Sequence, residues 1–125
     1  MDLNPAEFAE RWAEAWNRRD IQAVLRHFDD AVQFSSPVAV AVVNQPTLHG
    51  KPALRAYWAA ALDRVESLRF DVRRTLWDAD RRALAIVYDR VVNGKQDRAV
   101  ELLRFNRAGL VESGEAFYGV IPAER

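Results

Sequence analysis

Residues 82–106 read RALAIVYDRVVNGKQDRAVELLRFN, and this stretch decides the fold. Successive side chains of a strand point to opposite faces. From Arg82 to Val92 that places Leu84, Ile86, Tyr88 and Arg90 on one face, and Ala85, Val87, Asp89 and Val91 on the other. Asn93-Gly94 follows, the strongest short hairpin signal, because both residues tolerate positive φ. A two-residue turn pairs even positions of the first strand with odd positions of the next. Ala99, Glu101, Leu103 and Phe105 therefore share the face of Tyr88, while Val100, Leu102 and Arg104 share that of Val87. The period of two extends to strands near Leu68–Trp77 and Leu110–Gly119, with turns at Asp78–Arg81 and Asn106–Gly109. In the last strand Gly114, Ala116 and Tyr118 fall inward, and Ser113, Glu115 and Phe117 outward.

Before Leu68 the period is helical. Asn4 is a good N-cap, Pro5 suits the first helical position, and Glu7 completes a capping box. Phe8, Trp12, Ala15 and Trp16 then share one helical face. Asp20 caps a second, short helix with the stripe Ile21, Val24, Leu25 and Phe28, and Asp29-Asp30 make a turn. Val32, Phe34 and Ser36 alternate as a short strand that Pro37 stops. The segment from Val38 to Gly50 reads either as a strand or as an apolar loop covering something. A third helix follows Gly50, with Leu54, Tyr57, Trp58, Ala61, Leu62 and Val65 on one face. Three helices preceding an antiparallel meander predict an α+β fold.

The chain has 125 residues, which predicts one domain over 1–125. Half of the residues are hydrophobic, so a packed core is expected. Eighteen Lys and Arg balance eighteen Asp and Glu, which argues against a nucleic-acid or anionic-membrane partner. There is no Cys, hence no thiol chemistry, and two His do not make a zinc site. The acidic start around Asp2, Glu7 and Glu10 lacks the apolar run of a signal peptide. The uncharged stretch Ala31–Leu48 is broken by Pro37, Asn44 and Pro46, so no membrane span is expected and the default location is cytoplasmic. No dinucleotide fingerprint or nucleophile elbow is present, and Glu115 stands where a phosphate loop needs Lys. No cofactor and no metal are expected.

Both faces of the sheet are apolar, and such sheets are usually covered on both sides. The helices cover one. A second copy of the chain across Val87, Val100, Leu102 and Phe117 covers the other, which predicts a two-fold homodimer through the outer sheet face.

The order of these pieces resembles a known superfamily. The residues that carry the resemblance are Trp12-Ala13-Glu14-Ala15-Trp16-Asn17-Arg18-Arg19-Asp20, Phe28-Asp29-Asp30, Ser36-Pro37, His49-Gly50, Ala53-Leu54-Arg55-Ala56-Tyr57, and Glu101-Leu102-Leu103-Arg104-Phe105 with Gly109. They look like the nuclear transport factor 2-like fold, on its SnoaL-like and ketosteroid isomerase-like branch, over about Pro5 to Tyr118. The resemblance implies a cone-shaped, curved antiparallel sheet wrapped around helices, a pocket at its wide end, and commonly a homodimer. Its members include isomerases, cyclases, dehydratases, epoxide hydrolases and non-catalytic binding domains, so function rests on the site.

The isomerases of that branch use a carboxylate base, with a tyrosine and a protonated acid as an oxyanion hole. Here the base position is Ser36 and the tyrosine position is Trp12. Only the third position keeps an acid, as Glu101. An acid–Arg–acid arrangement is also incomplete: Arg90 offers the cation, but Glu101 is the one acid read as inward. Among Ala99, Leu103 and Phe105, Glu101 is expected to be buried, either as a functional acid or tied to Arg90 or Tyr88. Tyr88 and Tyr57 are read beside it as orienting groups. Trp12, Trp16, Phe34, Ser36, Trp58, Arg90, Leu103, Ala116 and Tyr118 complete the candidate pocket. The small Gly114 and Ala116 would leave room for a ligand, or pack closely. His27 is read as exposed, and His49 as a loop residue near the pocket opening. The expectation is a domain that binds a small apolar molecule, with cofactor-independent isomerase, cyclase or dehydratase chemistry in its pocket. The alternative is a non-catalytic binding or scaffold domain.

Overall fold

The computed structural model describes residues 3–123; Met1 and Asp2, part of the leader reading, lie outside it. Helix α1, Pro5–Asn17, starts as its sequence dictates, with the Glu7 N–H donating to the Asn4 side chain at 3.0 Å. Asp20 likewise accepts from the Ala23 N–H at 3.0 Å and opens α2, Ile21–Leu25. By spacing alone the helical stripe extends to Phe28. Instead Phe28 opens strand β1, Phe28–Ser35, where it is 1% exposed and pairs with Val111. A stripe at that spacing cannot tell a helix from a helix followed by a buried strand residue. Asp29 and Asp30 lie within β1 rather than ending a helix. The turn chemistry survives as a bond from the Ala31 N–H to Asp29 Oδ1 at 2.8 Å, where the register with the neighbouring strand shifts.

The ambiguous segment holds a further helix, α3, Pro37–Val43, and a short strand, β2, Thr47–His49. Its run of β-branched valines favours a strand, but both ends are capped. Ser36 Oγ accepts from the Val38 N–H at 3.2 Å, and Asn44 takes the left-handed conformation (φ 59°) with its N–H on the Val40 carbonyl. Helix α4, Lys51–Asp63, follows Gly50. Among the described residues there are four helices where the sequence predicts three, and α3 is the addition.

Strands β3 (Leu68–Asp78), β4 (Ala83–Val92), β5 (Lys95–Phe105) and β6 (Val111–Gly119) complete a curved six-stranded sheet in the order β2-β1-β6-β5-β4-β3. The meander is antiparallel, whereas β1 runs parallel to β6, so the sheet is mixed. The crossover from β1 to β6 carries α3, β2, α4 and the rest of the sheet, enough chain for a parallel pairing.

The central register follows from the turn. Asn93 (φ 52°) and Gly94 (φ 80°) are both left-handed, and the pairs are Tyr88 with Ala99, Ile86 with Glu101, and Leu84 with Leu103. The inward set is buried against the helices, while Leu102 and Phe117 on the other face stay exposed. The α+β architecture is thus the expected one. Helix α1 lies along β3 and α4 along β1, leaving space between them over the concave face of the sheet.

Candidate functional site

A cavity of about 360 Å³ occupies that space, within the range typical of small-molecule sites. Helix α1 contributes Trp12 and Trp16, α4 contributes Tyr57 and Trp58, and β1 contributes Phe34. Tyr88 and Arg90 come from β4, Glu101 from β5 and Tyr118 from β6. The wall is largely aromatic. Trp12 stacks on Phe70 at 5.6 Å and meets Tyr88 edge-on at 4.9 Å; Trp16 meets Trp58 edge-on at 4.9 Å. Such pairs are favourable and hold the rings in fixed orientations. The indole N–H groups of Trp12 and Trp16 are buried without a protein acceptor.

Glu101 is the acid of this cavity and is 4% exposed. Its strand neighbours are Ile86 and Ala116, and no described residue donates a hydrogen bond to its carboxyl or forms an ion pair with it. Burial pushes the carboxyl from 4.5 up to about 8, with the positive charge of Arg90 pulling in the opposite direction. Arg90 is engaged elsewhere. Its guanidinium donates to Asp97 at 2.6 and 3.1 Å, and its Cζ lies 4.2 Å from the centre of the Tyr118 ring. The structural tie of Glu101 to Arg90 or Tyr88 is therefore not made. Asp97 supplies a second acid on Arg90, but no bridge continues from Arg90 to Glu101.

Ser36 does not line the cavity. It caps α3, accepts from the Tyr57 hydroxyl at 3.4 Å and lies 3.5 Å from the Tyr118 hydroxyl. Burial pushes the Tyr57 phenol up to about 12, and raises those of Tyr118 and, most strongly, Tyr88. All three remain proton donors at neutral pH. With a neutral Glu101, the polar atoms around the cavity can receive a ligand's acceptor oxygen.

Leu103 and Ala116 do not reach the cavity, contrary to the sequence reading. Leu103 is fully buried in the core, and Ala116 borders a separate depression with Pro37 and Pro46. The small size of Gly114 serves packing. A Cβ there would lie 2.8 Å from Phe34 Cδ2 and 3.1 Å from Leu103 Cδ2. Gly114→Ala must push the buried Phe34 ring, at a cost of about 1–3 kcal/mol by urea unfolding. An unchanged midpoint would mean that Phe34 moves freely. His49 is an exposed residue of β2, not a loop group at the opening, and His27 is exposed beside Phe8. Among the described residues no three His, Asp or Glu side chains converge as a metal site, and no helix is long and apolar enough to cross a membrane.

Sequence reasoning missed Val38, Ala41 and Val42 of α3, and Phe70 of β3. The first three were invisible without the helix. Phe70 was within reach, because it pairs with Arg90, which had been placed inward.

No curated protein matches the chain. Among solved structures, a SnoaL-like protein of unknown function from Burkholderia thailandensis is 31% identical, with a TM-score of 0.82 over 92% of this chain and 93% of that one. An NTF2-like protein of unknown function from Burkholderia pseudomallei is 19% identical, with a TM-score of 0.80 over 94% and 92%. TerC, co-crystallised with polyporic acid, is 15% identical, with a TM-score of 0.76 over 92% and 91%. The SnoaL-like domain itself matches residues 9–113, most of the chain from α1 into β6, and the chain belongs to the SnoaL-like family.

Proposed function

We propose that the cavity binds a small, largely apolar molecule through a carbonyl or phenol oxygen, and that Glu101 acts on it as an acid–base group. The observation that carries this reading is a carboxyl buried in an aromatic cavity without a protein partner. A neutral acid donates a hydrogen bond to an acceptor oxygen and can transfer its proton as charge develops there. Tyr88 orients the same oxygen, Tyr57 is held beside it by its bond to Ser36, and the tryptophans exclude water. Isomerisation, cyclisation and dehydration are the reaction classes such a site serves without a cofactor. TerC, of the same fold, co-crystallises with polyporic acid, in keeping with a ligand-holding cavity. The protein acts as a homodimer through its outer sheet face, in the cytoplasm.

The second reading is binding without turnover. It is favoured by Ser36, which stands at the carboxylate-base position of the isomerases and is occupied by the α3 cap and Tyr57.

Enolisable aromatic ketones such as 2-tetralone provide the test, by thermal shift and calorimetry across pH, with exchange of the α-hydrogen for deuterium read as turnover. Wild type should bind at pH below about 8 and weaken by about tenfold or more above it, as the acid ionises. Glu101→Gln keeps a neutral donor at every pH, so it should bind without that fall while losing any turnover. Ketone binding with no turnover by wild type selects the second reading. Affinity that ignores pH in wild type removes Glu101 from the ligand's contacts.

A further inference from the structure

Arg90 and Asp97 stand directly opposite each other on β4 and β5. Their side chains are 19% and 18% exposed, and two hydrogen bonds join them. The guanidinium is thus fixed twice, in its plane by the carboxylate and on its face by the Tyr118 ring at 4.2 Å. A bidentate pair of this kind is geometrically specific and charge-neutral as a unit. Arg90 also lines the cavity that Glu101 faces, without being paired to it. A free guanidinium on the wall of the same cavity would draw Glu101 toward its charged form.

We propose that Asp97 is a positioning residue for the cavity acid: by holding Arg90 in a two-bond pair against Tyr118, it turns the guanidinium away from Glu101 and offsets its charge, so that Glu101 keeps its proton. The inference rests on the reading of Glu101 as the working acid. The titratable groups facing Glu101 are Tyr88 and Arg90 from β4, Tyr118 from β6 and Tyr57 from α4, with Arg64 at the cavity rim and Asp97 behind Arg90. The nearby side chains of α1, α3 and β1 are Trp12, Trp16, Val38, Val42 and Phe34, none of which titrates. Arg90 is the cation whose charge reaches the Glu101 carboxyl, and burial outweighs it.

The experiment is a carbon-13 NMR titration of the Glu101 carboxyl in the ligand-free protein, with the resonance assigned by its loss in Glu101→Gln. Asp97→Asn keeps the shape of the side chain and removes the charge, so the midpoint should fall by about one unit or more. Arg90→Gln should move it the opposite way, because the positive charge that lowers it is then gone. Asp97→Glu should restore a midpoint near that of wild type. Opposite shifts are the signature of a charge relation and would not follow from loosened packing. An unmoved midpoint in either charge variant, or two shifts of the same sign, overturns the proposal. Should Asp97→Asn fail to fold, Asp97→Ser removes the same charge and must lower the midpoint likewise; an unmoved midpoint there overturns the proposal. Because no ligand is present, failure here leaves ketone binding to stand or fall separately. Midpoints that move as stated, in a protein that binds no ketone, would fail only the binding reading.

Discussion

Glu101→Gln should gain stability over wild type as pH rises from 4.5 to about 8, by an amount on the order of 3–5 kcal/mol across that window. The carboxyl ionises near 4.5 in the unfolded chain and near 8 in the folded protein. Below 4.5 both states hold the proton and the group contributes no pH dependence. Between the two values the unfolded state has released its proton and the folded state has not. Each pH unit then lowers wild-type stability by about 1.4 kcal/mol. Above about 8 both states are ionised and the loss is complete. Gln at this position has no proton to lose. It also carries a constant cost for a buried amide, so the informative quantity is the change in the gap with pH. Other titrating groups, including Asp89 on Arg98, are shared by both proteins and cancel. A domain of this size has about 5–15 kcal/mol in total, so the effect is large. Urea unfolding of both proteins across the pH range is the measurement. Parallel curves would mean that water or a rearranged Arg90 solvates the carboxyl.

This acid was legible from the sequence because its position followed from a turn. Asn93-Gly94 fixes which positions of β5 share the face of Tyr88, and Glu101 falls among Ala99, Leu103 and Phe105 by counting alone. The same count could not separate layers within one face. Leu103 and Ala116 share the inward face with Glu101, but Leu103 is fully buried in the core and Ala116 opens on the depression beside Pro37 and Pro46. Depth along a face depends on the sheet's curvature and on which helix lies over each residue. Asp97 was missed for a related reason. It sits at the polar end of its strand, where alternation carries no hydrophobic signal, and only the cross-strand partner Arg90 gives it a role.

Helix α3 shows where local propensity misleads. Val38, Val40, Val42 and Val43 are strand formers, and Val40 is 48% exposed even in the helix. The deciding signals were the Ser36-Pro37 start and the Asn44 stop, a cap at each end of a run too short for clear periodicity. Ser36 stands at the position of the isomerases' carboxylate base, and its commitment to the α3 cap accounts for part of what its hydroxyl does. The parallel pairing of β1 with β6 was not legible either, since strand partners distant in sequence leave no local pattern.

Phe117→Glu should convert the proposed homodimer to monomer, weakening association about thirty- to a thousandfold, the range of an aromatic hot spot worth about 2–4 kcal/mol. Two apolar rows cross the outer face. Leu76, Ala85 and Leu102 are in register across β3, β4 and β5, and Val87, Val100 and Phe117 across β4, β5 and β6. Leu76, Leu102 and Phe117 are 60%, 39% and 46% exposed, although each belongs to a regular strand with polar alternatives available. Charged groups border the rows: Asp89 with Arg98 and Arg73 on one side, Arg104 and Glu115 on the other. An apolar centre with a charged rim is the anatomy of a protein interface. Under two-fold symmetry every substitution appears twice, so Phe117→Glu places two carboxylates in a desolvated patch. The concave side, with Glu101 and its aromatic walls, is untouched by the change. Sedimentation of wild type and variant at micromolar concentration, with circular dichroism to confirm the fold, separates the possibilities. A wild-type monomer at high micromolar concentration would reduce these residues to the ordinary apolar share of a protein surface. A dimer indifferent to Phe117→Glu would place the contact elsewhere on the molecule.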